Sequence, residues 1–167
     1  MEFKLGEFFC GPGGIALGAY NVGTVTNSQG VKFKIIPSWA SDYDLDTCQT
    51  YALNIHRDIS SSQVIHKDVR KLDIESLSSC DGFAFGFPCN DFSIVGESKG
   101  LKGEFGPLYS YGIQYLRIHK PMWFVAENVG GLSSSDSGKA LRIILDSMEN
   151  TGYKITPHLY KFEEYGV

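Results

Sequence analysis

The 167-residue chain carries a formal net charge of −4, with 43% hydrophobic and 20% charged residues. That length gives a single domain over residues 1–167 with a real core, and the ordinary composition excludes repeat and low-complexity architectures. The charge excludes a chain that holds nucleic acid by electrostatics alone, and no signal peptide or long apolar run is present, so a cytoplasmic protein is expected.

Phe3 to Phe9 reads as a short strand that runs into Cys10-Gly11-Pro12-Gly13-Gly14 and then a helical stretch from Ile15. Strand, glycine-rich turn and helix in succession make a nucleotide-type binding turn, because glycine lets the backbone approach a ligand closely. No Gly-Lys-Ser/Thr follows, and Ala16 stands where a dinucleotide fingerprint would have its last glycine. A plain structural turn fits these letters about as well. Asn21 to Lys34 is polar and glycine-punctuated, a loop or small hairpin, and Ile35 to Ser41 is the next strand. It ends in Asp42-Tyr43-Asp44. A carboxylate there suits a ribose hydroxyl pair and Tyr43 suits a purine face, whereas helix capping accounts for either acid alone. Asp44 caps a helix with Leu45, Cys48, Ala52 and Ile55 on one face.

Val64 to His66 is a third strand with Asp68 just beyond it, and Leu72 to Leu77 gives about one helical turn. Gly82-Phe83-Ala84-Phe85 is a buried parallel strand that stops abruptly at Gly86-Phe87-Pro88-Cys89. Pro88 stiffens the turn that carries the thiol. A cysteine so placed is by itself more often a small buried hydrophobe than a nucleophile. Asn90 to Gly106 has no periodicity and four glycines, which fits a lid or binding loop. Leu108, Tyr109, Gly112, Ile113 and Leu116 keep helical spacing, and Met122 to Ala126 reads as a second fully buried strand. Glu127 follows it, where desolvation is expected to raise a carboxyl pKa. Ser133 to Asp136 offers caps for a helix with Leu141, Ile144, Leu145 and Met148 on one face, and Tyr153 to Phe162 alternates as a last strand. Cys10, Cys48, Cys80 and Cys89 show neither a C-x-x-C pair nor a ligand rhythm, and His56, His66, His119 and His158 are scattered, so no metal is expected.

These strand ends, in this order, resemble the DNA cytosine-5 methyltransferases, which use S-adenosylmethionine and release S-adenosylhomocysteine. Phe9-Cys10-Gly11-Pro12-Gly13-Gly14 is similar to the family's first motif, Asp42-Tyr43 to its ribose and adenine pair, and Asp68-Val69 to its adenine-reading acid. Gly86-Phe87-Pro88-Cys89 with Phe92-Ser93 looks like the catalytic Pro-Cys motif, Gly106-Pro107-Leu108-Tyr109 like the lid-closing motif, and Glu127-Asn128-Val129 matches Glu-Asn-Val letter for letter. The resemblance implies an α/β, Rossmann-like, mostly parallel sheet with strand order 3-2-1-4-5, helices on both faces, and an incomplete C-terminal end. It implies cofactor contacts from Phe9, Cys10, Gly11, Gly13, Gly14, Asp42, Tyr43, Asp68, Val69, Gly86, Pro88 and Leu108. It assigns catalysis to Cys89, Glu127, Asn128 and Pro88, and a DNA-facing lid to Asn90, Ser93, Lys99 and Lys102.

On that resemblance the chain is the N-terminal catalytic portion of an enzyme that methylates a flipped cytosine in double-stranded DNA, within a restriction-modification system. The arginine motif, target-recognition domain and closing segment of the family are missing, so a second polypeptide or a C-terminal part is expected to supply them. A non-catalytic S-adenosylmethionine-binding remnant or regulatory subunit is the competing reading. A tRNA-methylating relative is a variant of the first, and an ordinary dehydrogenase leaves Pro88-Cys89 and Glu127-Asn128 without a role.

Overall fold

The computed structural model describes residues 1–88, 108–133 and 135–166. The expected turn and loop from Cys89 to Pro107 lie outside them. The chain divides by its contacts into two compact units: Met1–Pro88 with Leu108–Glu127, and Cys89–Pro107 with Asn128–Val167.

The first unit is a sheet with helices. Its elements are β1 (Glu2–Phe8), α1 (Gly14–Val22), β2 (Thr24–Thr26), β3 (Lys32–Asp42), α2 (Leu45–Tyr51), a π-helical turn (Ala52–His56), β4 (Val64–His66), β5 (Gly82–Gly86), α3 (Tyr109–His119) and β6 (Trp123–Glu127). The order across the sheet is β2-β3-β1-β5-β6, with β4 also paired to β3. All pairings are parallel except β2 with β3. Without the short β2, the order β4-β3-β1-β5-β6 is the expected 3-2-1-4-5. The polar stretch before β3 forms the hairpin, β2 lying against Lys32–Lys34. β3 begins earlier than its apolar run, because those hairpin pairings extend it.

Between β1 and β3 the register slips: Leu5 pairs Pro37 and Gly6 pairs Trp39, leaving Ser38 extra. Pro37 has no N–H to give the ladder, and a bulge is the usual accommodation. The slip brings Trp39 onto the face that carries Phe8. There Phe8, Trp39, Phe83 and Tyr115 of α3 form one cluster, with Phe83 and Tyr115 stacked at 4.2 Å and Phe8 edge-on to Phe83 at 5.1 Å. Gly6 is required beneath it, since a Cβ would come 2.5 Å from the Trp39 ring. The opposite face buries Cys10, Ala16, Ala40 and Tyr51, with Ile55 and Val64 packed against them.

Several expectations fail, among them the helical turn over Leu72 to Leu77, where the 3-10 turn falls instead at Val69–Lys71. β6 is not fully buried: Val125 is 46% exposed, because among the described residues β6 pairs only with β5. Residues 153–161 form no strand, since alternation needs a neighbour to accept its hydrogen bonds and none is paired there among the described residues. In the second unit a 3-10 turn (Gly130–Ser133) precedes α4 (Lys139–Glu149), which buries Ala140, Ile144 and Met148. Gly138, left-handed at φ 78°, takes the N-cap position that Ser133 to Asp136 were expected to fill.

Candidate functional site

β1 delivers the glycine turn at the carboxyl end of the sheet. Phe9 already sits in the left-handed region at φ 53°, an uncommon conformation for a side chain of that bulk. Gly11 and Gly13 continue in it at 53° and 97°. The Gly13 amide closes onto the Cys10 carbonyl at 3.1 Å, and Leu17 starts the helix ladder on the Gly13 carbonyl. A Cβ on Gly11 or Gly14 would meet nothing within 4 Å, so the turn leaves open space that only side chains would fill. That is the shape of a backbone cradle.

Asp42, at the end of β3, ties the turn down. Its Oδ2 accepts from the Gly11 amide at 3.0 Å and its Oδ1 from the Asp44 amide at 3.2 Å. Each carboxylate oxygen retains a second lone pair, so the residue is both cap and available acceptor. Tyr43 is 72% exposed, with its ring free to lie along a planar ligand, while His66 Nε2–H donates to its carbonyl at 3.0 Å. Asp44 caps α2 as expected, accepting from the Thr47 amide at 2.8 Å, and that bond holds its carboxyl below the usual carboxylate range.

Asp68 stands past β4 and accepts from Arg70 through its backbone N–H at 2.9 Å and through a side-chain fork that closes to 2.6 Å. The Arg70 side chain holds its carboxyl below the usual carboxylate range. A ligand amino group approaching Asp68 meets a carboxylate already engaged. Val69 beside it is buried, as is Leu108 at the start of α3.

Gly86 and Glu127 end adjacent strands in register. The Glu127 carboxylate lies over Gly86, where a Cβ would come 3.2 Å from Oε2. Contrary to the desolvation expected of it, Glu127 is exposed, at the end of a strand that among the described residues pairs on one side only. Phe87 is buried and packs near Tyr109, and Pro88 closes the described segment. In the second unit Asn128 turns its Oδ1 onto the Val129 amide at 2.9 Å. Cys89, Asn90, Ser93, Lys99 and Lys102 lie outside the described residues. The first unit therefore gathers Phe9 to Gly14, Asp42, Tyr43, Asp68, Val69, Gly86, Pro88 and Glu127 at the carboxyl ends of β1, β3, β4, β5 and β6.

Beneath the turn is a group the sequence reading did not single out. Glu7 is 1% exposed, and the Tyr51 hydroxyl donates to its Oε1 at 2.7 Å. Burial pushes the Glu7 carboxyl up to about 7, the Tyr51 bond opposing. Burial, then the charges of Asp42 and Glu7, push the Cys10 thiol up, so Cys10 is a neutral packing group and not a nucleophile. The His56 ring lies tilted against Tyr51, its Nε2 buried without a partner among the described residues, and burial lowers its pKa. A lone acid inside the apolar run Leu5-Gly6-Glu7-Phe8 was the signal available in sequence. Among the described residues no three His, Cys, Asp or Glu side chains group to hold a metal ion, and no helix is long and apolar enough to cross a membrane.

The family model described as C-5 cytosine-specific DNA methylase matches residues 3–167. The chain is 51% identical over 174 residues to the type II methyltransferase M.BbvI of Brevibacillus brevis, covering 100% of this chain and 46% of that one. It is 32% identical to the type II methyltransferase M.NgoFVII of Neisseria gonorrhoeae, covering 98% of this chain and 40% of the relative. The chain thus spans less than half the length of these curated relatives. Among solved structures, the S. pombe Dnmt2 methyltransferase superposes with a TM-score of 0.58 at 17% identity, over 86% of this chain and 41% of that one, a likeness of fold.

Proposed function

The chain belongs to the C-5 cytosine-specific DNA methylase family, and from that premise we propose that it forms the cofactor-binding and methyl-transferring part of a DNA cytosine-5 methyltransferase of a restriction-modification system. The observation that carries the reading is the convergence at one end of the sheet: a strained glycine turn on β1, acids after β3 and β4, and Gly86-Phe87-Pro88 beside Glu127 on β5 and β6. The open space above Gly11 and Gly14 and an acceptor-only set of carboxylates suit a cationic nucleoside such as S-adenosylmethionine. Phe9 to Gly14 would hold its amino-acid end, Asp42 its ribose, and Tyr43, Asp68 and Val69 its adenine. When bound, that cofactor supplies a methyl group activated on a sulfonium.

The remaining chemistry belongs to the chain. C5 of cytosine is a poor nucleophile, so the Cys89 thiolate adds to C6 and makes C5 carbanion-like. Glu127, carrying a proton, would donate to N3 and accept from the amino group, offsetting the negative charge that builds on the ring. Once C5 carries the methyl group, loss of its proton to a base returns the electron pair to the ring and expels the Cys89 thiolate. The exposure of Glu127 fits a group that a flipped base would cover, and extrusion of that base from a duplex costs roughly a few kcal/mol. Asn90, Ser93, Lys99 and Lys102 would close over it.

Because the chain spans less than half of its relatives, methylation is proposed for this chain together with a polypeptide or segment equivalent to the rest, which would read the DNA sequence. The test is covalent trapping on duplex DNA carrying 5-fluorocytosine, with S-adenosylmethionine present. An adduct that requires Cys89 and disappears in Cys89→Ser is expected, with Glu127→Gln slowing transfer by about two orders of magnitude. Cofactor binding with no adduct in the complete assembly would overturn catalysis and leave a cofactor-binding subunit.

A further inference from the structure

The π-helical turn Ala52–His56, with Tyr51 just ahead of it, touches the strand and turn that would hold the cofactor at three separate points. The Asn54 amide Nδ2 donates to the Pro12 carbonyl at 3.2 Å. The Tyr51 ring and Ile55 fill the space at Gly13, where a Cβ would come 3.0 Å from Tyr51 Cδ2 and 3.2 Å from Ile55 Cγ1. The Tyr51 hydroxyl reaches past the turn to Glu7, on the strand that delivers it. All three side chains come from one short stretch more than 35 residues further along the chain.

That stretch is itself irregular. α2 ends as an α-helix at Tyr51 and widens, so that the amides of Arg57 and Asp58 both close onto the Ala52 carbonyl, and Arg57 stops the turn at φ 56°. π-bulges of this kind concentrate at functional sites, because they disturb the regular ladder in order to re-aim side chains. The glycine turn, for its part, is closed by the Gly13–Cys10 bond and tied to β3 by Asp42, but its glycines are free to take other conformations. Phe9, Gly11 and Gly13 all occupy left-handed conformations, and Gly13 at the start of α1 has no side chain to cap it. For Phe9 such a conformation persists only where its surroundings fix it.

We propose that Tyr51 and Asn54 are positioning residues that hold the Cys10–Gly14 turn in its ligand-accepting shape before the ligand arrives. The turn is then pre-organised: without the two contacts it samples other conformations, and apparent affinity falls by the fraction of time it is misshapen. The inference rests on the proposed function for the identity of the ligand, S-adenosylmethionine, and on nothing but the free protein for the shape of the turn.

The test has two arms on the 167-residue chain. Hydrogen exchange of the Gly11, Gly13 and Leu17 amides is followed by NMR in the free protein, and S-adenosylmethionine is titrated calorimetrically. Asn54→Asp keeps the size of the side chain but removes the donor, and Tyr51→Phe keeps the ring but removes the hydroxyl. Each is expected to speed exchange of those three amides by about five- to tenfold, the effect of one lost hydrogen bond. Exchange in β5 should stay unchanged, and affinity should fall in proportion to the lost ligand-accepting fraction of the chain. Asn54→Gln, which keeps an amide donor, should recover most of both. Unchanged exchange at the turn in both variants overturns the proposal, as does faster exchange spread equally through β5. A wild-type chain that binds no S-adenosylmethionine refutes the proposed ligand, and the exchange arm still decides whether the two residues shape the turn.

Discussion

On one face of the β3–β1–β5 sheet, Phe8, Trp39, Phe83 and Tyr115 pack ring on ring, and the only polar tips are tied off: the Trp39 N–H and the Tyr115 hydroxyl both donate to the Ser78 carbonyl at 2.9 Å. On the other face, one residue earlier in β1, Glu7 is buried with the Tyr51 hydroxyl as partner, beside a buried thiol and an imidazole nitrogen that has no partner among the described residues. The first face is what hydrophobic burial builds when nothing else is asked of it. The second carries groups that cost stability to bury, and it lies directly under the glycine turn. The contrast separates residues that make the fold from residues that aim the site.

The comparison breaks most visibly at Phe83. Phe83→Ala removes a fully buried ring from the centre of the aromatic face and should cost about 3–5 kcal/mol, read as a fall in the urea midpoint. Whatever remains folded should bind cofactor with the wild-type constant.

Glu7→Gln sharpens it from the other side. The ordinary carboxyl value of 4.5 rises to about 7 in the folded chain, so the folded state holds a proton that the unfolded state has released. The associated stability is fully present below pH 4.5 and is lost as pH rises through about 7. Unfolding free energy of the wild type should therefore fall by up to about 3 kcal/mol relative to Glu7→Gln between pH 4.5 and pH 8. Parallel urea titrations of the two proteins check it; curves that keep a constant separation across that range would contradict the burial of an ionisable group. Smaller still is Asp44→Ala, which removes the Thr47 cap and should lower the urea midpoint slightly at neutral pH. Tyr43→Ala should leave stability within about 0.5 kcal/mol, as befits a residue 72% exposed, and weaken cofactor binding all the same.

Much of this layout was legible in the sequence, for local reasons. Gly82 to Phe85 is apolar at every position because both faces of a central parallel strand are covered, and the Gly11/Gly13 turn is marked by residues that tolerate positive φ. Misreadings arose where structure depends on a neighbour. Trp123 to Ala126 has the same apolar letters as β5, yet Val125 is half exposed, because β6 pairs on one side only among the described residues. Tyr153 to Phe162 alternates, yet among the described residues no strand lies beside it. The Glu7–Tyr51 bond spans 44 residues and the Asn54–Pro12 bond 42, separations that no local pattern reports. Glu7 alone, an acid amid apolar letters, left a trace.

The carboxyl end of the sheet, from the glycine turn to Asp42, is proposed as the site for S-adenosylmethionine. Calorimetric titration of the wild type, Gly13→Val and Asp42→Ala tests it most directly. Valine at position 13 would be strained at φ 97° and would press on the Tyr51 ring, and Asp42→Ala frees the Gly11 amide while removing the ribose acceptor. One site per wild-type chain, no measurable binding to Gly13→Val and at least about tenfold weaker binding to Asp42→Ala are expected. Equal affinity across all three proteins, each shown to be folded by circular dichroism, would contradict it.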